Sequence, residues 1–110
     1  MKFTTTLKKN YEFKRLYNRG KSSASQYVAV YFKPSGTEFN RLGITVSGKI
    51  GGAVARNRIR RRLKEIYRLN EKNLKPGFDI VIAARRKCIS ANYNEIEASV
   101  MAVFRKLNLL

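Results

Sequence analysis

The spacing of hydrophobic and polar positions changes several times along this chain, and each change marks an element. From Leu7 to Asn18, the residues Phe13, Leu16 and Tyr17 recur at spacings of three and four. That spacing predicts a short helix, with Asn10 as N-cap and Gly20 just past its end. Lys21 to Lys33 alternates instead, with Val28, Val30 and Phe32 on one side and Tyr27, Ala29 and Tyr31 on the other. This is a strand whose two faces differ in chemistry, and Ser22, Ser23 and Ser25 predict that it begins as a separate short piece. Pro34-Ser35-Gly36 is a turn signal. With the polar residues through Asn40 it predicts a hairpin connection to a second strand over Arg41 to Val46.

The following segment, Lys49 to Arg68, reads as a glycine-punctuated loop entering a helix crowded with arginine. Ala55, Ile59, Leu63 and Ile66 fall on one narrow stripe, with Tyr67 at its margin, as packing of one face requires. Arg56, Arg58, Arg60, Arg61, Lys64 and Arg68 occupy the other faces with Asn57, and Glu65 alone opposes them. Arg62 lies beside the stripe, where a long stem covers apolar surface and its head stays wet. Such a helix repels itself, since each like-charged pair three or four residues apart costs roughly 0.2–0.5 kcal/mol. A polyanion removes that cost, and arginine's planar fork matches phosphate bidentately. Gly51 and Gly52 would let the backbone approach a ligand, and the first turn of the helix offers unpaired amides to an anion. The loop lacks the Gly-Lys-Ser/Thr ending of a nucleotide-binding loop, so Gly48-Lys49 reads as an RNA backbone contact.

Leu69 to Lys75 reads as polar connection, and Pro76-Gly77 turns the chain. Phe78 to Ala84 is a continuous apolar run, the mark of a strand covered on both sides and therefore central. Ser90 is the expected N-cap of a last helix in which Tyr93, Ile96, Val100, Val103, Phe104 and Leu107 recur at core spacing. The elements run αβββαβα. They predict an α+β fold, a single-domain α/β sandwich over residues 1–110 with a mixed sheet of about four strands and a βαβ crossover.

Charge says more than length. Of 110 residues, 24 are Lys or Arg and 7 are Asp or Glu, a formal charge of +17 that points to nucleic acid or an anionic membrane. An apolar fraction of 44% belongs to a folded protein rather than a basic tail. The amino-terminal residues lack the apolar stretch of a signal peptide, no run is long enough to span a bilayer, and Cys88 stands alone. These features predict a soluble cytoplasmic protein with no membrane role.

The inventory offers no protein active site. Without histidine, and with one cysteine, the ordinary general base, the Cys-His pair and the common metal clusters are missing. The acids are scattered and suggest no magnesium cluster. What remains is recognition, by phosphate contacts and by rings that stack on unpaired bases. Helical spacing alone leaves Phe13 and Tyr17 open to two readings, core packing or a groove wall.

Arg56-Asn57-Arg58 with Ile59-Arg60-Arg61, preceded by Lys49-Ile50-Gly51 and Ala53-Val54, resembles the signature of the bacterial ribonuclease P protein family. Leu7-Lys8-Lys9-Asn10, Glu12-Phe13, Tyr17 and Gly20 resemble its amino-terminal helix. Gly43 to Ser47 resembles the strand before the signature, and Asp79 to Ala83 a later core strand. The resemblance therefore covers nearly the whole chain. It implies a left-handed crossover and a role as protein subunit of a ribonucleoprotein endonuclease that matures the 5′ end of tRNA. It further implies a catalytic RNA partner that breaks the bond with magnesium bound mainly by that RNA. Lys49, Arg56, Asn57, Arg58, Arg60, Arg61, Lys64 and Arg68 are then the expected contacts to ribonuclease P RNA, and Phe13, Tyr17 and Tyr31 those to the 5′ leader of precursor tRNA. No protein partner is expected.

The main rival is a ribosomal or other structural RNA-binding protein with no processing role, which would need phosphate contacts but no stacking platforms. A self-contained protein nuclease lacks its catalytic groups. A membrane-surface helix would need a broader apolar face, and a helix-turn-helix protein would need a helix where a strand is predicted.

Overall fold

Five strands and three helices make up the computed structural model, which describes residues 3–110. They are β1 (Thr4–Thr6), α1 (Asn10–Arg19), β2 (Lys21–Ala24), β3 (Val28–Pro34), β4 (Asn40–Thr45), α2 (Ala53–Asn70), β5 (Phe78–Ala84) and α3 (Tyr93–Lys106). The sheet order is β1-β4-β5-β3-β2, so the apolar run 78–84 is the central strand, as its composition demands. β5 pairs in parallel with β4 and antiparallel with β3, and α2 is the crossover between the parallel neighbours.

Three expectations change. The sheet has a fifth strand, because Thr4–Thr6 pairs in parallel with Asn40–Leu42 of β4. The 34–40 connection is not a hairpin turn, since β5 lies between β3 and β4; the hairpin is formed by β2 and β3, registered from Lys21 opposite Phe32 to Ala24 opposite Ala29. The helix caps also shift. Lys9 precedes α1 and Asn10 is its first residue, while α3 is capped by Asn92. The Asn92 side chain accepts the Glu95 amide at 2.8 Å and Glu95 accepts the Asn92 amide at 3.0 Å. This reciprocal pair satisfies two orphan donors, whereas Ser90 is held in a 3-10 turn by donating to the Lys87 carbonyl.

Strand alternation divides the sheet's two faces. Val28, Val30, Phe32, Leu42, Ile80 and Ile82 point to α2 and α3 and form the main core with Ile59, Leu63, Ile66, Ile96, Val100 and Phe104. Tyr67 belongs to that core and is fully buried. Its hydroxyl lies 2.8 Å from Thr4 Oγ1 and accepts from Asn40 Nδ2 at 3.4 Å. The 69–75 connection contributes as well, because Leu74 is buried after a 3-10 turn at Glu71–Asn73. On the opposite face, Leu7, Leu16 and Val81 make a smaller cluster against which Phe13 and Tyr31 pack. This second face carries α1 and the aromatic part of the site.

Candidate nucleic-acid interface

α1 lies across three strands, and its contacts follow their register. Arg41, Gly43 and Thr45 of β4 stand beside Asp79, Val81 and Ala83 of β5, which in turn stand beside Lys33, Tyr31 and Ala29 of β3. Above the first row, Arg41 donates to Asp79 through Nε at 2.7 Å and Nη2 at 2.8 Å, and to Glu12 of α1 through Nη1 at 2.5 Å. Above the second, the Phe13 ring lies directly on Gly43, where an added Cβ would sit 2.5 Å and 2.6 Å from two ring carbons. Above the third, the Tyr17 hydroxyl donates to Thr45 Oγ1 at 3.3 Å, and its ring meets Tyr31 edge-on at 4.8 Å between centroids.

These placements open a groove. An open cleft of about 470 Å³ runs between Thr6, Leu7 and Phe13 on one side and Asn57, Arg60, Arg61 and Lys64 of α2 on the other, floored by Leu42, Gly43 and Ile44. A second cleft of about 410 Å³ is lined by Asn10, Phe13, Lys14, Tyr17 and Thr45, so Phe13 belongs to both. Tyr17 keeps 40% of its surface exposed. One wall therefore carries the Phe13 ring and the other is cationic, with β4 between them.

The structure divides the sequence-derived contacts into groups. Asn57, Arg60, Arg61 and Lys64 face the groove, with Arg60 Nη1 donating to Asn57 Oδ1 at 3.1 Å. Arg58 and Lys49 are exposed outside that lining, and Arg56 is half-buried with its guanidinium toward Gly48. Arg56 Nε is buried without a hydrogen-bond partner among the described residues. Arg68 is exposed and tied to Glu65 at 2.5 Å, which holds the Glu65 carboxyl below its usual value and raises Arg68. Phe13 and Tyr17 line the groove, whereas Tyr31 backs Tyr17 and lines neither cleft. Gly51 has a different role from the one its loop suggested: a Cβ there would meet Ile89 Cδ1 at 2.7 Å, so the close approach is to Ile89, and Gly52 is the open position at the start of α2.

Sequence reasoning missed Gly43 and Thr45, which line the clefts, and the Glu12–Arg41 pair, which lies beside Phe13 outside their lining. An isolated glycine inside an apolar strand is a signal for close approach, and here what approaches is the Phe13 ring. Cys88 is buried, and burial pushes its thiol upward, which disfavours the nucleophilic thiolate. Among the described residues, no three acidic or cysteine side chains are grouped to hold a metal ion. Nor is any helix long and apolar enough to cross a membrane.

A ring on α1 facing arginines of α2 across an open cleft, on a chain of charge +17, defines a nucleic-acid-binding protein. A sequence model of the Ribonuclease P family matches residues 1–108. The ribonuclease P protein component of Alkaliphilus oremlandii (strain OhILAs) is 42% identical over 110 residues, covering 100% of this chain and 96% of that protein. The one from Clostridioides difficile (strain 630) is 39% identical over 107 residues, covering 96% and 94%. Among solved structures, the Staphylococcus aureus RNase P protein superposes with a TM-score of 0.88 at 31% identity, covering 94% of this chain and 95% of that one. The Thermotoga maritima RNase P protein gives 0.81 at 31%, covering 88% and 92%. The chain belongs to the ribonuclease P protein family, and as such is a subunit of the tRNA-processing ribonucleoprotein endonuclease with an RNA partner.

Proposed function

We propose that residues 1–110 act as one RNA-binding domain that docks on the catalytic RNA of ribonuclease P through Arg56, Asn57, Arg58, Arg60 and Arg61. Lys49, Lys64 and Arg68 extend that contact. The same domain holds the single-stranded 5′ leader of precursor tRNA along Phe13 and Tyr17, with Tyr31 buttressing Tyr17, and so assists leader removal. The observation that carries this reading is the groove itself: an unpaired strand needs a ring on which bases stack and cations beside its backbone, and Phe13 faces Arg60, Arg61 and Lys64 across Gly43.

Bond breaking belongs to the RNA in this reading. Glu12, next to Phe13, and Asp79 on the central strand are both engaged by Arg41 and are poor donors for a cation. Magnesium is accordingly held mainly by the RNA subunit, and the protein's cations screen phosphate repulsion so that the ions bind at lower concentration. We assign the complex to the cytoplasm, which suits a lone reduced cysteine.

Reconstitution tests the proposal. Purified protein added to a bacterial ribonuclease P RNA should restore leader removal at a magnesium concentration where the RNA alone is nearly inactive, and the protein alone should cleave nothing. Cleavage by the protein without RNA, or no gain at limiting magnesium, would overturn it.

A further inference from the structure

We infer that Glu12 is a positioning residue for the aromatic wall: its ion pair with Arg41 holds α1 at the height and register that keep Phe13 on Gly43 and Tyr17 on Thr45. The inference rests on the leader-binding reading for its functional consequence, but its structural half stands on contacts alone.

α1 has a narrow apolar hold on the sheet: Leu16 is its one fully buried side chain among ten residues, and Phe13 is half-buried on Gly43. Its exposed positions include Lys14, Arg15 and Arg19, and across the groove stand Arg60, Arg61 and Lys64. The two walls therefore repel, and the repulsion acts to widen the channel. Glu12 is the only acid on α1, and both of its carboxylate oxygens are committed. Oε2 accepts from Arg41 Nη1 at 2.5 Å, and Oε1 accepts the Lys9 amide at 3.3 Å, which also satisfies an orphan donor at the helix start. Phe13 is the next residue. The pair thus pins the chain one position from the ring that lines both clefts.

Arg41 suits this task because it is itself immobilised. Asp79, 1% exposed on the central strand, takes two of its nitrogens in a fork, and Lys33 Nζ lies 3.6 Å from the same carboxylate. The guanidinium is a fixed post on the sheet, and Glu12 is the tie from α1 to that post. Removing Glu12 leaves Arg41 still neutralised by Asp79, so the fold survives while the helix loosens.

Glu12→Ala and Glu12→Gln separate placement from stability. In the free protein, the proton NOEs between the Phe13 ring and the Gly43 α-protons should weaken in Glu12→Ala, with cross-strand contacts between Leu42 and Ile80 unchanged. In the holoenzyme, Glu12→Ala should weaken binding of leader-bearing precursor by about fivefold, the low end of one lost stacking ring, and of mature tRNA by less than about twofold. Glu12→Gln, which keeps the shape and an acceptor oxygen, should recover part of both. Intact ring NOEs, or a leader affinity unchanged when the NOEs are lost, would overturn the inference. Phe13→Ala is measured alongside. If it leaves leader affinity unaltered, the leader reading fails, and the NOEs still decide whether Glu12 places the ring.

Discussion

Removing the Arg41 side chain should damage the fold far more than removing any groove cation, because it strands a buried charge. Asp79 is 1% exposed and receives Arg41 at 2.7 Å and 2.8 Å. In Arg41→Ala, Lys33, 3.6 Å away, would be the one cation left in ion-pair range of it among the described residues. Breaking a buried pair by deleting one partner costs about 3–5 kcal/mol, against about 0–1 kcal/mol for an exposed pair. Arg41 is itself 33% exposed, so water reaches the site and the loss falls near the lower bound, about 3 kcal/mol. For a chain of this size that is a fall in Tm of about 12–24 °C. The assay is thermal and urea unfolding of RNA-free protein at fixed ionic strength, followed by circular dichroism, for Arg41→Ala, Asp79→Leu and the double variant Arg41→Met/Asp79→Leu. The double variant leaves no unpaired buried charge on the central strand, at the cost of the Glu12 contact, and should lose less than the two single changes summed, with a coupling above about 1 kcal/mol. Additive losses, or an Arg41→Ala within about 0.5 kcal/mol of the parent, would refute the reasoning.

Three further outcomes are expected. Arg61→Ala, at the groove, should weaken binding to the catalytic RNA and flatten the slope of log affinity against log salt by about 0.7–0.9, the signature of one lost phosphate contact. Arg58→Ala should behave similarly, and Arg68→Ala less so because Glu65 already occupies its guanidinium; equal slopes for all three variants and the parent would count against the docking surface. Gly43→Ala places a methyl where the Phe13 ring lies and should displace that ring at a stability cost of about 1 kcal/mol, so the loss appears in leader affinity more than in Tm; an unchanged ring position by NMR would contradict it. Burial pushes the Glu12 carboxyl upward, but the Lys9 amide and the Arg41 guanidinium outweigh it and hold the group below its ordinary value. Its stabilisation is therefore complete above the unfolded carboxyl range near about pH 4.3 and is lost as pH falls through the folded value, so the stability gap between parent and Glu12→Gln should close on acidification. A gap independent of pH would rule this out.

Local patterns in the chain anticipated the elements better than their partners. Ile59, Leu63 and Ile66 stand at helix spacing, so the buried stripe of α2 was legible, yet the full burial of Tyr67 depends on Thr4 and Asn40, far away in sequence. Turn residues at 34–36 argued for a hairpin, and the stronger demand came from the 78–84 strand, whose apolar side chains require cover on both faces and take the central slot. Three threonines were too short a run to announce β1, whose pairing is parallel and non-local. Ser90 and Asn92 are both good caps, and Glu95 three residues after Asn92 decided between them. At the site, arginines and aromatics were each visible as sets. Their meeting was not, because it is made by Gly43, a position that contributes no side chain.

The order of the strands also constrains how the molecule is made. β3 and β4 never touch as neighbours, and the strand that joins them is translated last of the five. Until residues 78–84 leave the ribosome, a nascent chain can form only two of the sheet's strand pairs, β2 with β3 and β1 with β4, and the strips of Val28, Val30 and Leu42 have α2 but not the strand that joins them, nor α3, to close against. The sheet is therefore completed in a single late step, and the channel on its far face comes into being with it.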